Sequence, residues 1–303
     1  MRTLTARLLA VCGLALLGLI TAESAGQAPA QAPAQSPSVW QWPVSTPEEQ
    51  GLDPKVLADV VDLIRKNEIL PRLHYLIIVR HGRLVLEENF HGWGPGKLHT
   101  LQSVSKSFTS ALVGIAIARG EFKGVDERVL DFFPDMMGIA NMDERKASMR
   151  LEDLLTMRSG TDYHEQGPDS PHFQLNKLER GWDKFYLDRP MVQPPGTGFL
   201  YDSGGVILIS AMLKSRTGLH AAEYAERHLF APLGIKDYFW VGNLDGHTHA
   251  GGGLSLTARD TAKLGQLYLD GGRWGDTQVV PEAWVRESCR THVDLTSPGQ
   301  PPR

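Results

Sequence analysis

The spacing of apolar residues predicts a short helix and then a hairpin near the start of the domain. Residues 53–67 open with Asp-Pro and then carry apolar residues at the spacing of one helix face, which predicts an amphipathic helix. Two β-rich runs, YLIIVR and RLVLEENF, flank His81-Gly82. They predict a hairpin whose turn uses a positive φ at Gly82.

From Leu101 onward the apolar pattern has the period of a helix. Residues 103–119 place Phe108, Leu112 and Ile115 on one stripe, and proline-rich or glycine-rich breaks separate the later segments. Further helices are predicted at 151–157, 205–217, 221–229, 258–270 and 282–289. This order predicts an α+β fold in which a small antiparallel sheet carries a large helical region.

The first 44 residues have the composition of segments that precede a folded domain. Arg2 and Arg7 come before an apolar run at 8–20 that small residues follow, so residues 1–25 resemble a secretory signal peptide. An uncleaved anchor stays open, because the run approaches spanning length. Residues 26–44, rich in alanine, proline and glutamine, predict an extended linker. We expect a secreted or periplasmic protein, with a domain at 45–290 and an irregular tail at 291–303.

The composition and net charge favour a small-molecule partner over nucleic acid. The 303 residues are 42% hydrophobic and 22% charged, with a formal net charge of -4, which is ordinary for a globular protein with a sizeable core. A mildly acidic chain has no basic field to attract nucleic acid. Signal cleavage removes Cys12 and leaves Cys289 alone, so the domain has no disulfide. We expect small-molecule chemistry, no nucleic acid and no stable membrane insertion after cleavage.

The strongest candidate chemistry is the pair Ser103 and Lys106 at the start of a helix. Residues three apart lie on one helix face, so the lysine amine can reach the serine hydroxyl and take its proton. The amine has to be uncharged for this, which burial favours. The helix start also supplies positive potential and a backbone N–H for an oxyanion. The other reading is a serine that only caps a surface helix, since Ser-x-x-Lys arises easily by chance.

A second candidate element is Tyr201-Asp202-Ser203, which lies between a Pro-Gly break and a helix. A tyrosine beside the lysine relays a proton to the leaving group, and the Ser203 hydroxyl supports that network. The alternative is a half-buried tyrosine whose hydroxyl bonds to a turn.

Five segments then occur in the order seen in the serine β-lactamase-related family. They are SVSKSFTSALVGIAI, MRLEDLLTMRSGTDY, PPGTGFLYDSGGVILISAML, HLFAPLGI and GGGLSLTARDTAKLG. The chain from about Thr46 to Cys289 thus resembles class C β-lactamases, family VIII esterases, D-alanyl-D-alanine peptidases and 6-aminohexanoate-dimer hydrolases. The resemblance implies a β-lactamase/transpeptidase-like fold. It also implies Ser103 as the acylated nucleophile, Lys106 as general base and Tyr201 as proton relay.

Two departures from the family pattern affect the expected substrate. Ser203 stands where the second motif often has asparagine, a form that resembles the esterase and aminohexanoate-hydrolase branches. No Lys-Thr-Gly occurs for the third motif, and His249-Ala250-Gly251 fits the alternative His-x-Gly but comes too early along the chain. We expect an ester or amide hydrolase acting on small acyl groups; β-lactams and D-Ala-D-Ala peptides stay open as substrates.

Two histidines and three tryptophans are further candidates for a metal site or an acyl pocket. His247 and His249 have no carboxylate or cysteine partner in the pattern, so we predict no metal and no cofactor. Trp182, Trp240 and Trp274 fit an acyl pocket, but each fits a place in the core or at its rim at least as well.

The C-terminal sequence carries a further expectation. Residues 290–303 contain no apolar run long enough for a strand and close with three prolines. We therefore expect a sheet that lacks its C-terminal strands, with the hairpin pair as the only convincing strands. A truncated, non-catalytic or acylation-only remnant of the family is the alternative to an active enzyme.

Overall fold

The structure is a computed structural model that describes residues 40–295. The predicted signal peptide at 1–25, residues 26–39 of the linker and residues 296–303 of the tail lie outside this range. Within it, ten α-helices and seven short strands follow one another in the chain. The α+β class predicted from the sequence is confirmed.

The first helix and the hairpin form as predicted. Helix α1 spans Pro54–Arg65, and the Asp53 carboxylate caps it by accepting from the first backbone N–H groups. Strands β1 (Tyr75–Arg80) and β2 (Arg83–Asn89) pair antiparallel. Both turn residues have positive φ, 51° at His81 and 72° at Gly82, which suits the right-handed twist of a two-residue hairpin.

Two long helices form the centre of the helical region. Helices α2 (Ser105–Ala118) and α7 (Ser203–Thr217) are apolar on most sides and pack against each other in the main core. A helix that is apolar all round is stable only when it is buried. Four helices contact α7, namely α4 Leu151–Leu155, α5 Pro171–Leu175, α6 Trp182–Leu187 and α8 Ala221–Ala225, and α10 Glu282–Ser288 contacts α2. The other two are α3 Glu144–Ser148 and α9 Ala258–Leu269, of which α9 packs against β1.

The predicted helices are found with small changes at their ends. The segment predicted at 221–229 is α8 followed by a π-helical turn at Glu226–Phe230. Helices α3, α5 and α6 were not predicted, because five or six residues are too few to show a helical period. None of the helices in residues 40–295 combines the length and apolarity needed to cross a membrane.

The expectation of a single strand pair was wrong. Strands β3 (His99–Thr100), β4 (Tyr238–Trp240) and β5 (Leu254–Leu256) form a second antiparallel sheet in the order β3-β5-β4. Strands β6 (Arg273–Trp274) and β7 (Thr277–Gln278) form a third. Strands of two or three residues show no alternation, so the sequence pattern could not reveal them. The second sheet matters because β3 leads directly to Ser103.

The end of the predicted linker lies against the domain. Trp42 is buried and donates its indole N–H to the Arg259 carbonyl, 3.1 Å away. Val44 forms a parallel bridge with Leu84 of β2. Burial of an indole ring removes a large apolar area from water, so residues 40–44 belong to the folded part rather than to an extended linker.

Candidate active site

Ser103 lies in a tight turn between β3 and α2. A 3-10 turn at Gln102–Val104 precedes the helix, and Gln102 has a φ of 46°, a left-handed conformation that costs energy for a residue other than glycine. Two contacts hold the turn to β5: Leu101 N–H donates to the Leu254 carbonyl, and Leu254 N–H donates to the Ser105 hydroxyl. The buried Ser105 therefore has the structural role, and the exposed Ser103 faces a cavity.

Lys106 lies one turn further along α2 with its amine among three oxygens. The Nζ atom is 3.1 Å from Ser103 Oγ, 2.8 Å from Ser203 Oγ and 2.5 Å from the Gly251 carbonyl oxygen. A neutral amine has two N–H donors and one lone pair. If Ser203 and Gly251 accept the two donors, the lone pair faces the Ser103 hydroxyl, as proton removal requires.

Tyr201 completes the contacts of the serine hydroxyl. Its phenolic O–H donates to Ser103 Oγ over 2.6 Å, and the Lys106 amine lies 4.9 Å from the centre of its ring. The tyrosine is 40% exposed, so its hydroxyl is open to a substrate. The structure brings all four predicted residues together: Ser103, Lys106, Tyr201 and Ser203.

Two carboxylates fix the start of α7, from which Ser203 projects. Asp202 Oδ1 accepts from Gly205 N at 2.8 Å, and Glu165 Oε1 accepts from Ser203 N at 2.8 Å. Asp202 is 2% exposed. Burial raises the pKa of its carboxyl to about 6, although hydrogen bonds from Tyr186, Gly205 and Ser159 act in the opposite direction.

The serine opens into a cavity of about 400 Å³ whose walls are mostly polar. Along one wall His172 Nε2 lies 3.0 Å from Asn176 Nδ2, and Asn176 Oδ1 lies 2.9 Å from His249 Nε2. Burial lowers the pKa of both histidines, so the imidazoles are neutral near pH 7. The lining residues are Thr100, Gln102, Ser103, Glu165, His172, Asn176, Ser203, Val241, His249, Gly251, Gly252, Gly253 and Ser255.

His247 and His249, the two candidate metal ligands, have different hydrogen-bond or ion-pair partners. His247 lies 3.8 Å from the Asp183 carboxylate, whereas His249 bonds to Asn176. Among residues 40–295, no group of three or more His, Cys, Asp or Glu side chains is placed to hold a metal ion.

The three tryptophans that are candidates for an acyl pocket do not line this cavity. Trp182 and Trp240 are buried in the core, and Trp274 packs against Trp40 with ring centroids 4.5 Å apart.

Several residues at this site gave no signal in the sequence. Glu165, His172 and Asn176 come from the segment between α4 and α6, which has no periodicity and no recognisable motif. Asp202 lies inside the predicted Tyr-x-Ser element but was not singled out. The Gly251 carbonyl is a backbone group, and only the path of the chain could place it beside Lys106.

Comparisons with known proteins identify the family of this chain. Residues 74–299 match the family model described as Beta-lactamase. A 6-aminohexanoate-dimer hydrolase from Paenarthrobacter ureafaciens is 29% identical over 221 residues, which cover 69% of this chain and 55% of that protein. The chain thus spans about half the length of this curated relative.

Solved structures show the same fold at low identity. A penicillin-binding protein homologue from Caulobacter crescentus superposes with a TM-score of 0.60 at 15% identity, over 79% of this chain and 76% of the other. EstCE1, a hydrolase with promiscuous acyltransferase activity, superposes with a TM-score of 0.62 at 15% identity, over 76% of each chain. The fold is therefore β-lactamase/penicillin-binding-protein-like, and the chain belongs to the β-lactamase family.

Proposed function

We propose that this protein is a serine hydrolase that cleaves ester or amide carbonyls through an acyl-enzyme on Ser103. The observation that carries the proposal is the position of Ser103 Oγ, 3.1 Å from the Lys106 amine and 2.6 Å from the Tyr201 hydroxyl. A base and a proton relay on one hydroxyl are what activation of a serine needs. In residues 40–295 no other serine hydroxyl is bonded to both a lysine amine and a tyrosine hydroxyl.

The reaction proceeds in two steps, acylation and then deacylation of Ser103. Ser103 Oγ attacks the carbonyl carbon while its proton passes to Lys106 Nζ, and the oxyanion is held by backbone N–H groups that include that of Ser103. Tyr201 gives a proton to the leaving oxygen or nitrogen, and the carbon–heteroatom bond breaks. Water then attacks the acyl carbon and gives a proton to Tyr201. The proton held on Lys106 returns to Ser103 Oγ as the acyl bond breaks, which releases the acid and restores the free serine.

Esters of small acyl groups and short amides are the proposed substrates. Ser203 replaces the asparagine that is frequent in β-lactamases, and its hydroxyl bonds to the lysine amine at 2.8 Å. The curated relative named for a short amide and the structural neighbour named as a hydrolase with acyltransferase activity support the same chemistry. Hydrolysis and acyl transfer can share an acyl-enzyme, because the two reactions differ only in the leaving group and in the group that accepts the acyl chain.

Covalent labelling tests the proposal directly. The full chain is incubated with a fluorophosphonate, and intact mass followed by peptide mapping identifies the modified residue. We expect one adduct, on Ser103, that Ser103→Ala abolishes. Ser107→Ala is the matched control, because Ser107 is an exposed serine on the same helix, and it should keep the adduct. Absence of an adduct on the folded chain, or an adduct elsewhere, would overturn the proposal.

A further inference from the structure

The open face of the second sheet changes from polar to apolar as it leads away from Ser103. Thr100 of β3 pairs with Ser255 of β5, and Ser255 pairs in turn with Phe239 of β4. Cross-strand partners lie side by side on one face of a sheet, so their side chains form one row across the three strands. Adjacent strands are about 4.8 Å apart, which places Phe239 about 10 Å from Thr100. The row therefore begins with two hydroxyls and ends with an aromatic ring.

The apolar end of this row is exposed to solvent. Trp240, Leu254 and Leu256 alternate with the residues of the row, point to the opposite face of the sheet and are buried in the main core. By contrast, Phe239 is 60% exposed and Val241 is 39% exposed. Residues two apart along a strand lie on the same face, so Phe239 and Val241 form one apolar patch, the Phe239/Val241 patch.

The Phe239/Val241 patch is continuous with the active-site cavity. Val241 lines the cavity together with Thr100 and Ser255. Its N–H donates to the Gly253 carbonyl at 3.1 Å, which continues the pairing of β4 with β5. A Cβ on Gly253 would lie 2.9 Å from Val241 Cβ, so the glycine leaves the space beside Val241 unfilled. A chain that extends from Ser103 along the sheet therefore meets hydroxyls first and apolar side chains after them.

The part of the substrate that enters this cavity is the acyl group. In the proposed mechanism Tyr201 gives a proton to the leaving atom, so the leaving group departs beside Tyr201. Ser103 lines the cavity, whereas Tyr201 does not. The cavity and the Phe239/Val241 patch thus receive the part of the substrate that stays bonded to Ser103.

We infer that the Phe239/Val241 patch binds the apolar end of the acyl group and selects acyl chains long enough to reach it. A short acyl group is still a substrate, but it leaves the patch in water, whereas a longer chain removes apolar surface from water on both sides. Burial of about two methylene groups corresponds to roughly a tenfold gain in kcat/KM. The inference rests on the proposed function, because the chain is selected on a substrate that acylates Ser103.

Three nitrophenyl esters test the inference on the full chain. The butanoate is too short to reach the patch, and the octanoate reaches it. The 6-methoxyhexanoate has the length of the octanoate, with an oxygen in place of one methylene near its end. Nitrophenol release gives kcat/KM for each ester, divided by its rate of hydrolysis in hydroxide. We expect the octanoate to react about tenfold faster than the butanoate and about threefold faster than the ether, whose oxygen loses water on an apolar surface.

Variants assign this preference to Phe239. Phe239→Ser removes the ring, so the ratio of octanoate to butanoate rates should fall below about threefold. Phe239→Leu restores an apolar side chain and should restore most of the ratio. Leu269→Ser is the matched control, because Leu269 is an 81% exposed apolar residue at the end of α9 that does not line the cavity, and the ratio should stay as in the parent. Thermal unfolding of each variant confirms that it is folded, and Val241→Ser repeats the test if Phe239→Ser does not fold.

The outcomes separate this inference from the proposed function. Equal rates for butanoate and octanoate, or for octanoate and its ether analogue, would overturn the selection of an apolar chain end and leave the hydrolase intact. A ratio that survives Phe239→Ser in the folded variant would overturn the role of the Phe239/Val241 patch. If no ester, nor the fluorophosphonate, modifies Ser103 in the folded chain, the proposed function and this inference fall together.

Discussion

Two helix starts meet at the site, and they are built in opposite ways. The start of α7 is capped by two carboxylates: Asp202 accepts from Gly205 N, and Glu165 accepts from Ser203 N. The start of α2 has no side-chain cap, and Gln102 before it is held at a φ of 46°. The start of α7 is thus held by side-chain acceptors, whereas the start of α2 is held by its contacts with β5.

This difference argues against the alternative that Ser103 only caps a surface helix. A serine at a helix start commonly caps the helix by accepting from a backbone N–H. In α2 no side chain caps the helix, and the Ser103 hydroxyl instead bonds to Lys106 and Tyr201. The uncapped start leaves the hydroxyl available for chemistry, and the capped start of α7 holds the groups that assist it.

The largest expected effect comes from the α2 side of the site. Ser103→Ala and Lys106→Ala should each lower kcat/KM for a short nitrophenyl ester by about a thousandfold or more, since each removes a step that the other needs. The double variant should be little worse than either single one, because the two residues act as a unit. Ester hydrolysis by purified variants measures this, and full activity in either single variant would contradict the mechanism.

The next largest effect is a pH dependence of stability that comes from Asp202, the buried cap of α7. Asp202 has a pKa of about 6 in the folded state against 3.8 in the unfolded chain. Between these values the folded state holds a proton that the unfolded state has lost, so the free energy of unfolding falls as pH rises. The difference corresponds to about 3 kcal/mol of stability, which is fully present below about pH 4 and is lost as the pH rises to about 6.

Asp202→Asn tests that pH dependence, because asparagine keeps an oxygen for Gly205 N and does not titrate. Urea unfolding at several pH values should give a flatter profile for the variant than for the parent between about pH 4 and pH 6. Equal slopes would show that the carboxyl does not titrate as a buried group.

A smaller effect is expected where α7 contacts the tyrosines beside it. A Cβ on Gly204 would lie 2.5 Å from the ring of Tyr163 and 2.7 Å from that of Tyr186, and both rings are fully buried. Gly204→Ala should therefore lower the free energy of unfolding by about 2 kcal/mol. Gly265→Ala in α9, where a Cβ meets no atom within 4 Å, is the control and should stabilise the protein by up to about 1 kcal/mol.

The smallest effect is expected at the strained start of α2. Gln102→Gly relieves a left-handed φ and should raise the free energy of unfolding by about 1 kcal/mol. The same change should slow acylation of Ser103, because a glycine no longer fixes the direction of the turn. Gln102→Ala retains the strain and should show no gain in stability. A faster acylation in Gln102→Gly would show that the strained turn does not position Ser103.

The sequence by itself determined the elements whose pattern repeats over many residues. Helices α1, α2, α7, α9 and α10 and the β1–β2 hairpin were predicted within a few residues of their ends. The spacing also singled out Ser103 and Lys106, because three positions on a helix bring two side chains to one face. The element at 201–203, which lies before a helix and resembles the family's second motif, singled out Tyr201 and Ser203. These are local properties, and the chain carries them before it folds.

Only the tertiary structure decided what surrounds those four residues. Strands β3 and β5 are too short to show a pattern, yet their pairing places Ser105 rather than Ser103 in the structural role. Glu165 and the Gly251 carbonyl reach the site from distant parts of the sequence. Contacts of this kind depend on how the elements pack, because a hydrogen bond between residues far apart in sequence leaves no local period.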